Sequence, residues 1–289
     1  MKQTFIIIMI LAAFTLLPAQ TWKLDSNMSL TLSQSAFSDN WAGTELSNIT
    51  WVANSTSTAE KQLADWLLNK NTLKLAFGQT HNQKTDEVSR DKYWEKPEKT
   101  TDKIDLESMF RFTTHTWVDP FLAGRFESQF LDLSQDEARL VNPMLFTETA
   151  GIIRSFIDEE HQLLTARLGA ALRESVNRDV LIGTTKETQT TIDGGLEMVS
   201  EYTRKLKMPL EMDLRSRLQL YQALFNSKSD DLPNDNWKSL DMVWENIVST
   251  KLFGMVSANL IFELRYDKEQ VSELQWKEMI GLGLSHNFF

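Results

Sequence analysis

The sequence of 289 residues contains no cysteine and only four histidines. Without cysteine the chain can form neither a disulfide framework nor a lipid attachment through a thiol. It also lacks the Cys/His spacing of metal sites, the glycine-rich phosphate loop and the dinucleotide-binding fingerprint, so we predict no metal and no cofactor. Because the familiar signatures of soluble enzymes are missing, we expect no enzymatic activity.

Positive charge is scarce as well. The chain carries 30 Lys and Arg residues against 40 Asp and Glu residues, a formal net charge of −10. A protein that binds nucleic acid needs a basic face, so we expect no nucleic-acid partner. Disorder is equally unexpected, because 42% of the residues are hydrophobic, with nine Trp and sixteen Phe among the aromatic residues.

The one long apolar run stands at the start of the sequence. Residues 1–19 carry Lys2, an apolar stretch from Phe5 to Leu17 and a small-residue end at Ala19. This pattern is typical of a secretory signal peptide. We therefore expect an exported protein in which residues 1–19 are removed and residues 20–289 fold. Beyond the signal, no segment approaches the ~20 apolar residues that a membrane-spanning helix needs.

Strict alternation of apolar and polar residues fills the rest of the sequence. In LEMDLRSRLQLYQALF, residues 210–225, it predicts a β-strand with one apolar and one charged face. A soluble sandwich would bury the leucines, whereas a membrane barrel would turn them toward lipid. Twelve segments are strand candidates, an even number, as in bacterial single-chain barrels: residues 22–36, 49–58, 73–79, 103–117, 121–130, 146–156, 163–173, 188–202, 210–225, 239–248, 253–267 and 274–289.

The connections between these candidates alternate in length. Long polar segments follow the first, third, fifth and ninth candidates, and most of the intervening links are tight, with ADWLLNKN (64–71) as an exception. Outer-membrane barrels have long loops on the outer rim and short turns on the inner one. Together with the signal peptide, this sorting favours an all-β fold: a transmembrane antiparallel β-barrel of about 12 strands in the bacterial outer membrane.

Aromatic residues stand near the ends of the strand candidates, where the two interfacial girdles of a barrel should lie. The C-terminal GLGLSHNFF resembles the strand signal that the barrel-assembly machinery recognises, although Phe289 is out of phase with the apolar face. The girdle candidates are Trp22, Trp51, Trp117, Phe121, Trp244, Tyr266, Trp276 and Phe288.

The block FSDNWAGTELSNITWVAN, residues 37–54, resembles the opening of a family of uncharacterised outer-membrane-type proteins from Bacteroidota, described as a domain of unknown function. KIDLESMF (103–110), LRYD (264–267) and the C-terminal GLGLSHNFF follow in the order expected for that family. The resemblance spans nearly the whole mature chain. It implies a barrel at the outer membrane and no settled activity.

The polar phase of the strands predicts a narrow lumen lined by charges of both signs. Such charges can pair across the lumen and plug it, or they can select a small solute that passes through, and an excess of acids would favour cationic or neutral solutes. We expect a narrow channel or transporter, with a plugged barrel as the alternative. The candidate lumen residues are Glu107, Arg111, Arg125, Glu127, Arg167, Arg173, Glu197, Glu211, Asp213, Arg215, Arg217, Glu263, Arg265, Asp267 and Lys277.

Two rival functions remain open. An outer-membrane hydrolase would need a nucleophile beside a base, and His115 is the histidine on a polar phase. A surface-binding role would use the long loops, of which the acidic NSKSDDLPNDN (226–236) could contact lipopolysaccharide. The partners expected are therefore outer-membrane lipid, lipopolysaccharide, the assembly machinery and a small solute.

Overall fold

A computed structural model describes residues 21–38, 46–89, 91–207 and 211–287. The predicted signal peptide lies outside the described residues, as do Trp41 of the family-like block and Phe288 of the predicted girdle. Within the described residues there is no helix long and apolar enough to cross a membrane.

Twelve long strands form one antiparallel sheet that closes into a ring, because the first strand pairs with both the second and the last. The predicted all-β barrel of twelve strands is confirmed. Each strand pairs with its neighbours in sequence. The strands are β1 (Lys23–Ser35), β2 (Asn48–Ala64), β3 (Leu67–Thr85), β4 (Glu98–Phe112), β5 (Asp119–Ser128), β6 (Met144–Glu159), β7 (Gln162–Ile182), β8 (Thr185–Lys207), β9 (Glu211–Asn226), β10 (Leu240–Phe253), β11 (Val256–Asp267) and β12 (Val271–Asn287).

The packing is inverted relative to a soluble protein, as a barrel in lipid requires. On β7 the outward-facing Leu168 is 50% exposed, while the neighbouring Arg167 is only 8% exposed. The same contrast separates the exposed Leu106 of β4 from the buried Asp105 beside it. Leucines therefore form the outer wall, and charged side chains fill the interior, which answers the question that periodicity alone left open.

The connections sort onto two rims. The rim with long connections carries the described parts of 36–47 and 86–97, together with 129–143 and 227–239, and we call it the long-loop rim. The opposite rim, which we call the short-turn rim, carries the short links, including residues 65–66, 160–161 and 254–255. The predicted alternation is confirmed, and its apparent exception disappears. The segment ADWLLNKN is not a loop, because β2 continues to Ala64, Asp65 and Trp66 form a tight turn, and β3 begins at Leu67.

Aromatic residues ring the outer wall near both rims, with one correction. At the short-turn rim Trp66 stacks on Phe112 with 6.1 Å between ring centroids, and the guanidinium of Arg154 lies 4.4 Å from the Trp117 ring. Phe121, predicted to belong to a girdle, instead points into the lumen and is 1% exposed. Phe121 shares the inward phase of Arg125 on β5. The prediction was wrong because it assumed that every aromatic residue near a strand end faces lipid.

Candidate functional site: the barrel lumen

The strand register places every candidate lumen residue on the inward-facing phase of its strand, the phase of the buried Arg125, Arg167 and Glu197. The barrel brings six of the fifteen into ion pairs with residues three to five strands away around the ring, namely Glu107, Arg125, Arg167, Arg173, Glu197 and Arg217. These contacts connect different walls rather than neighbouring strands, so they cross the lumen.

One cluster centres on Arg125 of β5. Its guanidinium donates to the Glu197 carboxylate at 2.9 Å and to the Gln219 amide oxygen at 3.1 Å, and it pairs with Glu127 at 2.9 Å. Thr149 donates its hydroxyl to the other Glu197 oxygen at 2.9 Å. The side chains of Arg125 and Glu197 are each 2% exposed, so this pair is dry.

A second cluster centres on Glu107 of β4. Arg167 of β7 binds this carboxylate through both of its terminal nitrogens. Arg217 of β9 approaches the same carboxylate at 4.0 Å and pairs with Glu201 at 3.4 Å. Glu201 in turn lies 4.0 Å from Lys70 of β3. The chain of contacts therefore runs from β7 across to β4 and from β8 across to β3.

The third contact joins opposite walls. Lys103 of β4 donates to Glu245 of β10, and these strands stand six positions apart in a ring of twelve. Lys74 of β3 lies 3.6 Å from the other Glu245 oxygen, and Lys103 lies 3.7 Å from Asp105. A solute moving along the barrel axis would meet these side chains in the centre of the lumen.

The lumen is also covered from the long-loop rim. Trp237, in the connection 227–239, is buried against inward-facing residues of β7 and β9, namely Ala171, Tyr221 and Ala223. Beneath it the Arg173 guanidinium lies over the Tyr221 ring and donates to Asp241 at 3.2 Å. This long connection therefore folds into the barrel mouth.

The remaining candidates stand outside these clusters. Arg111 pairs with Asp119 at 2.7 Å, Glu263 with Arg265 at 3.2 Å, and the Lys277 ammonium donates to the Thr101 hydroxyl at 3.0 Å. Asp267 accepts N–H groups of its own turn. No ion pair is found within the described part of the chain for Glu211, Asp213 or Arg215.

The charged network contains residues that sequence reasoning did not single out. Lys103 was missed because β4 was expected to begin there, whereas it begins at Glu98. Glu245, Lys74 and Asp105 were on the predicted polar phase, but nothing in one sequence shows which walls meet. Lys103 is the first residue of the predicted strand 103–117 and shares the phase of Glu107, so the same alternation would have found it.

The lumen has a dry part and a wetter part. Arg125 and Glu197 are almost fully buried, whereas the side chains of Lys70, Lys74 and Lys103 keep 29%, 24% and 31% of their surface exposed. The wetter part therefore lies against β3 and the early part of β4. Among the described residues no group of three or more His, Asp or Glu side chains is placed to hold a metal ion.

Comparisons with known proteins give a family match and several structural likenesses. Residues 32–132, less than half of the chain, match a family described as "Protein of unknown function (DUF3078)". This stretch contains the whole block at 37–54 on which the resemblance rests, together with KIDLESMF. The comparison with curated proteins found no match.

Solved structures similar to this chain come from several bacteria. An outer membrane channel from Pseudomonas putida F1 is 11% identical, with 95% of this chain and 97% of that chain covered and a TM-score of 0.41. The translocator domain of the autotransporter NalP from Neisseria meningitidis is 10% identical, with 99% and 94% covered and a TM-score of 0.34. The beta domain of the Bordetella autotransporter BrkA is 8% identical, with 93% and 98% covered and a TM-score of 0.32. Likeness at this level of identity concerns the fold alone.

Proposed function

We propose that this protein is a bacterial outer-membrane β-barrel whose lumen is closed along its axis by its own side chains and which acts through its long-loop rim as a structural, surface-binding barrel. The observation that supports this most directly is the contact between Lys103 and Glu245, which joins opposite walls. The same closure recurs at Arg167–Glu107 and Arg125–Glu197, so it does not depend on one pair.

The energetics of buried charge agree with a closed lumen. A charge removed from water is costly unless an opposite charge and hydrogen bonds compensate it. Glu197 meets this condition, since it accepts bonds from Arg125, Gln219 and Thr149. Displacing such a partner to let a solute pass would leave a charge unpaired.

The long-loop rim offers an ordered surface. In the connection 129–143 the buried Asp132 binds Arg139 and accepts a bond from the Asn142 amide at 2.8 Å. Arg139 and Asn142 both donate to Asn177 of β7, which ties this loop to the projecting β7–β8 hairpin. A rim fixed in this way is a suitable surface for binding lipopolysaccharide or another surface partner.

A narrow channel is the second candidate. The partial exposure of the Lys70, Lys74 and Lys103 side chains supports it, because water already reaches these ammonium groups and they could move aside more easily than Arg125. In that case the lumen charges would select a small solute, and the acidic residues would favour a cationic or neutral one.

Location and partners belong to the same proposal. The predicted signal peptide and the inverted twelve-stranded barrel support export to the outer membrane, with lipid around the leucine wall and insertion by the barrel-assembly machinery through β12. The resemblance of residues 37–54 supports an origin in Bacteroidota. No catalytic step is proposed, since His115 and His161 lie in turns of the short-turn rim.

Swelling of proteoliposomes in an isotonic arabinose solution tests the closed lumen. We expect vesicles with the signal-free protein to swell no faster than empty vesicles, because the ion pairs obstruct the axis. Vesicles with a variant that combines Lys74→Ser, Lys103→Ser, Arg217→Ser and Glu245→Ser should swell faster, since this variant removes the contacts that cross the wetter part of the lumen.

The matched control for this experiment is Lys84→Ala with Glu95→Ala. This pair, 2.6 Å apart, stands on the long-loop rim outside the lumen and should leave the vesicles as tight as the unmodified protein does. Swelling with the unmodified protein would overturn the proposal in favour of the channel. A tight fourfold variant would show that other groups close the axis.

A further inference from the structure

An arginine stands on the outer wall of the barrel near the short-turn rim. Arg154 of β6 is in register with Ala166 of β7 and has the outward phase of the exposed Ile152 and Leu168. A cation on this face is costly at the membrane midplane and is tolerated near the interface. Because the short turns of outer-membrane barrels face the periplasm, Arg154 stands at the headgroup level of the inner leaflet.

Two aromatic rings flank the Arg154 guanidinium. Its central carbon lies 4.4 Å from the Trp117 ring centroid and 5.3 Å from the Phe156 ring centroid. A β-bulge places the second ring, because Ser155 and Ile157 pair with consecutive residues of β7 and Phe156 is the extra residue between them. Both rings are exposed, so they flank the guanidinium without covering it. We call Arg154 and these two rings the Arg154 site.

Most donors of the Arg154 guanidinium have no acceptor. A guanidinium carries five N–H donors. Within the described part of the chain the acceptor is the Trp117 carbonyl oxygen, 3.2 Å from Nη1, and no carboxylate lies within 4.0 Å. Nε is buried without an acceptor, whereas Nη2, which has none either, reaches the surface. The open Nη2 side suits an oxyanion, and the planar guanidinium matches the geometry of a phosphate.

Small and apolar residues leave room for a lipid beside the Arg154 site. The outward-facing neighbours of Arg154 around the ring are Ala166 of β7 and Ser200 of β8, both with short side chains. Toward the membrane centre the next outward residues of these strands are the exposed Leu168 and Met198. A lipid whose headgroup contacts Arg154 can therefore lay its acyl chains along an apolar wall.

A carboxylate stands at the end of the same wall. Beyond the bulge the outward phase of β6 includes Glu159, which is in register with Gln162, four residues of β7 from Ala166 and about 13 Å along the strand. The Arg154 side chain bends toward this rim, because its guanidinium contacts Trp117 in the turn before β5. A short headgroup can bridge the remaining gap. Glu159 is exposed and has no ion pair within the residues that the structure describes.

We propose that the Arg154 site binds one phospholipid of the inner leaflet by its headgroup. The phosphate contacts the Arg154 guanidinium, and a primary ammonium group, as in phosphatidylethanolamine, contacts the Glu159 carboxylate. The order of charges along the wall, a cation and then an anion nearer the rim, matches the order in this headgroup. The proposal rests on the membrane location given above and does not depend on whether the lumen is closed.

Native mass spectrometry of the signal-free protein in detergent tests the site, because it resolves the binding of single lipids. The probes are dioleoyl phosphatidylethanolamine and dioleoyl phosphatidylglycerol, which share the phosphate and differ in the amine. We expect the first lipid to bind about threefold more tightly than the second, because Glu159 attracts its ammonium group. Gel mobility verifies that each variant is folded.

Arg154→Gln should weaken the binding of both lipids about tenfold, because it removes charge-assisted hydrogen bonds to the phosphate. Arg154→Lys should weaken it less, since it keeps the charge and loses the planar fork. Glu159→Gln should abolish the preference for phosphatidylethanolamine. The matched control is Arg204→Gln, which removes the same charge from the outward phase of β8 at the same rim and should change neither affinity.

Unchanged affinities in Arg154→Gln would overturn the site. An equal loss in Arg204→Gln would also overturn it, because the lipid would then respond to positive charge in general. A preference for phosphatidylglycerol, or a preference for phosphatidylethanolamine that survives Glu159→Gln, would refute the contact with the amine. If the folded protein bound neither lipid, the membrane location would fail together with the site, whereas equal binding by every variant would refute the site alone.

Discussion

At the residue scale, Arg125 shows how a buried charge is stabilised in the lumen. Its side chain is 2% exposed, and its guanidinium interacts with Glu197, Glu127 and Gln219 in place of water. A buried ion pair adds little stability when compared with an apolar pair of the same volume. Removing one partner is nevertheless strongly destabilising, because the other charge is left buried without compensation. The ion pairs therefore hold one arrangement of the lumen in place.

Glu197→Ala should lower the free energy of unfolding by about 3 kcal/mol, because it leaves a dry guanidinium with a reduced set of partners. Equilibrium unfolding in urea, with the barrel folded in lipid vesicles, measures the change. The control is Glu137→Ala, whose partner Lys186 stands on the surface and whose loss should be undetectable. A loss below about 1 kcal/mol for Glu197→Ala would mean that water reaches Arg125.

At the element scale, the close approach of β6 and β7 depends on glycine. A Cβ on Gly151 would lie 2.1 Å from the Leu168 carbonyl oxygen and 2.4 Å from the Gly169 Cα, both backbone atoms that cannot rotate away. The pairing of these strands positions Arg167 and Thr149 in the lumen. Local backbone geometry therefore sets the spacing of the charged network.

Gly151→Ala should destabilise the barrel by about 1–3 kcal/mol, because the strands must separate to accept the methyl group. Gly124→Ala is the matched control in the adjoining strand β5, since a Cβ there meets nothing within 4 Å. Thermal unfolding of the two variants in the same detergent gives the comparison. An equal response of both variants would contradict the close approach.

The connection 129–143 is an element whose attachment should depend on pH. Burial alone would raise the pKa of Asp132, but hydrogen bonds from Asn142 and Ser134 and the charge of Arg139 outweigh it and hold this pKa below its ordinary value. A carboxyl whose pKa is depressed on folding stabilises the fold above its unfolded pKa, about 3.9, and loses that contribution as the pH falls through the folded pKa.

A nitroxide label on Asp136→Cys, exposed in this loop, should report constant mobility from pH 7 to about pH 4 and a rise in more acidic solution. The same label combined with Asp132→Asn is the control, and its mobility should be higher at pH 7 with a weaker acid transition. A transition of equal size in both proteins would assign the pH dependence to other groups.

At the scale of the whole molecule, the alternation of apolar and polar residues was enough to predict the barrel and its strand number. The alternation of connection lengths was enough to predict that the long loops lie on one rim. The residue alternation also placed residues such as Glu107 and Arg167 on the inward face, because a period of two leaves only one choice once the leucines face lipid. Strand ends were less predictable: β3 begins at Leu67, six residues before the predicted start, since Asn69 and Asn71 broke the apolar pattern.

The contacts across the lumen could not be predicted from the sequence. Which residue of β4 faces which residue of β10 depends on strand tilt and stagger, which periodicity does not encode. The inward position of Phe121 was missed for a related reason, because an aromatic side chain can fill a narrow lumen as well as face lipid.

Single-channel current through the refolded, signal-free protein in planar bilayers tests the closed lumen most directly. With folding and insertion verified, the account predicts no steady current steps from the unmodified protein, because Lys103–Glu245 and the clusters around Arg125 and Glu107 obstruct the axis. Steady steps that favour cations, as judged by the reversal potential in a salt gradient, and that change in Arg217→Ala would contradict it and identify the lumen as a solute pathway.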